Sequence, residues 1–186
     1  MNKILQDIKR AYNAGAYRSA FALALTLPDI CGQIEYPNIA GCGDRYAKRI
    51  DNYLVDDEES GRIYMTIQRG EVKEGFVQVD GQTYFRLRCV YLHSGSTDLD
   101  DGKKDYPDFE FVLLSEEDKG IYSRMKVDDG VQNRLIVDIR GEIKTLVHSA
   151  LEYYKANKEK FDNEYILIRD LEREEIINRK EHLHNG

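Results

Sequence analysis

The sequence predicts a mainly α-helical protein: a helical bundle with a small antiparallel β insertion, α+β overall. Two observations carry this. Four stretches repeat apolar residues at the i, i+3, i+4 spacing of a helix face, and a later block gathers β-branched and aromatic residues in short runs bounded by turn residues. The length of 186 residues suits one domain. The expected layout is a bundle over 1–95 and 139–157, an insertion at about 108–139, and a charged helical tail over 165–186.

The first helix is expected over 2–13, where Ile4, Leu5, Ile8, Ala11 and Tyr12 share a face. Asn13-Ala14-Gly15 is its stop. A second runs from Tyr17 to about Leu27 through Phe21, Leu23, Ala24 and Leu25, apolar on most sides and so deep in the core. Pro28 ends or kinks it, and residues 29–37 read as a short helical turn leading into a loop. There Asp29 and Tyr36 are expected to form a hydrogen bond that ties the segment to the bundle. A third helix is expected over 43–55, with Tyr46, Ile50, Tyr53 and Leu54 on one side. Residues 56–61 are an acidic loop, and 62–80 is ambiguous between strand and loop. From Gln82 the pattern Tyr84, Leu87, Val90, Tyr91 is helical again and stops at His93-Ser94-Gly95, where glycine suits a C-terminal cap.

Beyond an acidic, turn-rich stretch over 97–107, residues 109–114, 122–127 and 135–139 read as strands, with Asp128-Asp129-Gly130 as a hairpin signal. Residues 139–157 then carry Ile143, Leu146, Val147, Ala150, Leu151 and Tyr154 at helical spacing.

The composition is 41% hydrophobic and 33% charged, enough for a real core under a charged surface, and the net charge is −7. That balance argues against a protein that coats nucleic acid nonspecifically. The three cysteines, Cys31, Cys42 and Cys89, form no CxxC pair and read as free thiols in a reducing cytosol. No apolar run is long enough for a membrane span, and the charged N-terminus has no signal core, so a cytoplasmic location is expected. No P-loop, dinucleotide fingerprint, metal-ligand spacing or nucleophile elbow is present. No metal or cofactor is expected, and His182 and His184 lack clustered ligands.

Chemistry concentrates in Arg88-Cys89-Val90-Tyr91-Leu92-His93, followed by Ser94-Gly95. An imidazole moves a proton near neutral pH. A guanidinium holds a phosphate with two prongs and offsets the charge developing on it. Together they are the minimum equipment for cutting a phosphodiester without a metal. On an ideal helix the two residues stand about 140° apart, so they converge only if the helix end unwinds near His93 or the Arg side chain reaches round. The bland readings are a helix C-terminal His on the dipole and an Arg in a surface ion pair. Ser94 and Ser96 can donate to a phosphate or simply turn the chain. Tyr91 can stack on a base or pack in the core, and Lys103 and Lys104 stand in a self-neutralising loop.

A helical bundle with one helix ending in Arg-x4-His resembles the HEPN superfamily, small α-helical domains of which many are metal-independent endoribonucleases in toxin–antitoxin and other defence systems. Arg86, six residues before His93, also fits the spacing. The family commonly places Asn or Asp directly after the Arg; this chain has Cys89 there. The resemblance implies Arg88 and His93 as catalytic residues, Arg86, Ser94 and Ser96 as substrate-binding residues, and RNA as substrate. It also implies a homodimer whose two Arg/His sets line one cleft, with an antitoxin or other protein as a further partner. The alternative is a non-catalytic interaction module on the same bundle.

Overall fold

The periodic apolar positions of the first segment fold as expected into α1 (Asn2–Asn13), whose Ile8 is buried. A computed structural model describes residues 1–53, 65–68, 71–74, 79–94, 106–114, 124–128 and 133–161. After α1 the chain reverses through Gly15, whose φ of 75° is a conformation that glycine adopts without steric cost. Helix α2 (Tyr17–Ala24) buries Ala20, Phe21 and Ala24.

Pro28 opens a helix instead of ending one. It sits in the first turn of α3 (Leu27–Glu35), where a backbone N–H would have no intrahelical partner anyway. The expected short turn over 29–37 is therefore a nine-residue helix. Helix α4 (Cys42–Tyr53) buries Tyr46, Ala47, Arg49 and Ile50, while Tyr53, expected on the buried side, is 47% exposed.

Part of the ambiguous 62–80 stretch is strand: β1 (Met65–Gln68) and β2 (Glu71–Glu74) pair antiparallel. The acidic loop at 56–61, the expected tail over 165–186 and most of 97–107 lie outside the described residues. Helix α5 (Gly81–Cys89) starts at an Asp80 cap that accepts from the Thr83 amide at 2.7 Å.

The later strands are β3 (Asp108–Val112), β4 (Arg124–Asp128) and β5 (Asn133–Asp138). The expectation of a small antiparallel sheet is corrected here. The sheet is mixed, in the order β2-β1-β4-β5-β3. Strands β3 and β5 run parallel, with Phe109 opposite Leu135 and Phe111 opposite Val137, and β1 runs parallel to β4. The β4–β5 pair is antiparallel. Strand β4 takes the inner side of β5 and β3 its outer side, so β5 carries an antiparallel neighbour on one edge and a parallel one on the other. The sheet is also not peripheral: Phe109, Leu135 and Val137 join the same core as Phe21, Tyr84 and Leu146.

Helix α6 (Ile139–Ala156) follows β5 without a loop. Its cap, Asp138, accepts from the Gly141 amide at 2.9 Å and from the Leu114 amide at 3.2 Å, tying the end of β3 to the start of α6. Among the described residues no helix is long and apolar enough to cross a membrane.

Candidate active site

Helix α5 does not end in an ordinary cap. Residues Val90–Ser94 continue it as a π-helical turn. A π turn advances each residue by less than the roughly 100° of an α-helix, so His93 stands less far round the axis from Arg88 than the about 140° of an ideal helix. His93 itself is exposed.

Arg88 is half-buried, and its guanidinium carbon lies 5.7 Å from the centre of the Phe85 ring and 6.0 Å from that of Tyr46. Its Nε is buried without a hydrogen-bond partner. The other inward arginines are differently occupied. Arg49 donates to Glu35 at 2.9 Å and is stacked between Tyr53 and Tyr153. Arg45 donates to the Ile39 carbonyl at 2.7 Å, and Arg140 to the Leu114 carbonyl at 2.7 Å. The surface ion pair that was the bland expectation for Arg88 is not found among the described residues.

A buried polar group lies behind Arg88. The Tyr84 hydroxyl, one turn earlier on α5, donates to the carboxylate of Glu142 in the first turn of α6, and Glu142 is 1% exposed. Tyr46, fully enclosed, has an unpartnered hydroxyl. Burial pushes its phenol well above the ordinary range; the Arg88 charge works against that shift and the Glu142 charge adds to it.

The remaining site expectations divide. Arg86 stacks 4.7 Å from the centre of the Tyr106 ring, on the side chain of a residue well beyond the motif. Ser94 closes the π turn, and Ser96, Lys103 and Lys104 lie outside the described residues. Tyr91 is a packing residue: its ring meets Phe21 at 4.8 Å and Phe111 at 5.0 Å, and its hydroxyl donates to the Arg18 carbonyl at 3.2 Å. Asp29 and Tyr36 hold their segment through different partners, not each other. Asp29 lies 3.9 Å from Arg45, and the Tyr36 hydroxyl accepts from Asn52 at 2.6 Å.

Sequence reasoning missed Tyr46, Phe85 and Glu142 as neighbours of the site. For Glu142 a signal was available: a carboxylate falls on the stripe of Ile139, Ile143 and Leu146, where a charge has to be partnered to be buried. Among the described residues no three His, Cys, Asp or Glu side chains gather where they could hold a metal ion. Comparison with protein-family models, curated proteins and solved structures gives no match.

Proposed function

We propose that this protein is a HEPN-like, metal-independent endoribonuclease of a defence or toxin–antitoxin type system, acting at Arg88 and His93. The single observation that carries this reading is the π turn that ends α5. It narrows the separation of the two residues round the helix axis and leaves His93 exposed, while the Arg88 guanidinium meets aromatic rings and, among the described residues, no carboxylate. In this reading Arg88 grips the scissile phosphate. His93 takes the proton of the 2′-hydroxyl, the 2′-oxygen attacks phosphorus, and the bond from phosphorus to the 5′-oxygen breaks as that oxygen takes a proton from water, giving a 2′,3′-cyclic phosphate and a 5′-hydroxyl. Two protomers pair by a two-fold axis so that both Arg/His sets face one cleft.

The experiment is incubation of wild type, Arg88→Ala and His93→Ala with total RNA in EDTA. Wild type is expected to cut, and each variant to lose about 10²-fold or more while unfolding at the wild-type temperature. Equal cutting by all three ends the proposal.

A second reading, a non-catalytic interaction module, is favoured by one feature. A groove of about 760 Å³ runs beside the sheet, lined by Tyr17, Tyr91, Phe111 and Leu113 among others, and Leu113 is 49% exposed. No cleavage by wild type moves the weight to this reading.

A further inference from the structure

We infer that Phe85, wedged between Gly43 and Tyr46, is a positioning residue for Arg88: the two rings form an aromatic cradle that holds the guanidinium by its buried Nε end while leaving the terminal N–H donors for a phosphate. The inference rests on the ribonuclease reading for its functional half and on geometry for the rest. An Arg used to hold a substrate phosphate faces a conflict. If a carboxylate fixes it, the donors that the phosphate needs are already engaged, and the net charge offered to the substrate falls. A flexible Arg in water, on the other hand, spends binding energy on ordering its rotamers. A cation over aromatic faces resolves this, because rings attract the charge without accepting in-plane hydrogen bonds.

The local structure is built for such a cradle. Phe85 and Arg88 lie three residues apart on α5, so they are neighbours on its surface. The rings of Phe85 and Tyr46 lie 5.6 Å apart and are tilted by 58°, so they form two walls. Tyr46 cannot move, being fully enclosed in the core. Phe85 also packs on Gly43 of α4: a β-carbon there would stand 2.9 Å from its Cε1 and 3.2 Å from its Cζ. Glycine at 43 is therefore what lets the ring approach α4 closely. The buried, unpartnered Nε of Arg88 marks the depth to which the side chain is drawn in.

The test compares Phe85→Leu, which keeps apolar volume but removes the face, with Phe85→Tyr, which keeps the face. Two readouts are taken on each folded protein: the NMR resonance of the Arg88 Nε–H, and kcat and KM for RNA cleavage. In Phe85→Leu the Nε–H signal is expected to lose its ring-current shift and its protection from exchange. There kcat is expected to fall about tenfold with a smaller change in KM, since a misaimed Arg fails mainly where charge develops. Phe85→Tyr restores both. If Phe85→Leu does not fold, Gly43→Ala perturbs the same ring through α4, with the same two readouts expected to move. An unmoved Nε–H signal in the folded variant overturns the cradle, even where RNA is cut. A moved signal with no cleavage by wild type upholds the cradle as the seat of Arg88 and overturns the ribonuclease reading instead.

Discussion

Burial sets the reactivity of individual side chains in this chain more than residue type does. Cys31 is 1% exposed and packs in the core, and burial pushes its thiol up to about 11; the Arg49 charge pulls the other way and the Glu35 charge adds to the shift. Cys42, at the start of α4, is exposed. The thiolate is the reactive form, so at pH 8 only about one Cys31 in a thousand is ionised, and that one is shielded. Iodoacetamide at pH 8, read by peptide mapping, is therefore expected to label Cys42 and spare Cys31 until the protein is unfolded. The sign of the linked stability effect follows. The unfolded thiol ionises near 9.0 and the folded one near 11, so the contribution from burying it neutral is complete below pH 9 and is lost as pH rises through 11. Labelling of native Cys31 as fast as Cys42 would show that this core is open.

At the scale of elements, the contact between α4 and α5 carries the site, because it brings Tyr46 to Arg88. The two helices approach so closely that a β-carbon on Gly81 would lie 2.1 Å from the Ala47 carbonyl oxygen. Backbone cannot move aside as a side-chain tip can. The same Gly81 amide donates to Asp51 at 2.6 Å, pinning the start of α5 to α4. Gly81→Ala is thus expected to cost about 3 kcal/mol, read as a lower urea midpoint, although alanine is the better helix former. A midpoint at or above wild type would mean that the helices are not in this contact. The sequence displays the helices because their apolar stripes repeat; it does not display this approach, since a glycine at a helix start looks the same whether or not another backbone lies against it. Pro28 shows a related ambiguity, as proline both stops helices and opens them. The parallel pairing of β3 and β5 is a property of how the whole sheet is connected, which no single strand's pattern encodes. Arg88 and His93 are a pair in the sequence spacing, but the π turn between them leaves no mark on periodicity beyond the nearby Gly95. The cradle was not legible, because Tyr46 and Gly43 come from an earlier helix.

For the whole molecule, the ribonuclease reading sets a net charge of −7 against a substrate that would itself be a polyanion. Such a protein gains nothing from broad electrostatic attraction, so on that reading RNA binding would come from a few local contacts that outweigh a repulsive background. This separates two kinds of RNA-binding surface. An extended basic track neutralises many phosphates and its affinity collapses as salt rises; a small site built round one held guanidinium neutralises few. On the ribonuclease reading, a single-stranded RNA bound to the cutting-deficient His93→Ala protein engages about two phosphates. Its log affinity is then expected to fall against log salt with a slope of about −1.4, measured by fluorescence anisotropy. Arg88→Ala added to that background should flatten the slope by about 0.7, the contribution of one phosphate contact on a single strand. A steep slope that Arg88→Ala leaves unchanged would place the RNA on some other surface of the protein and remove Arg88 from its recognition.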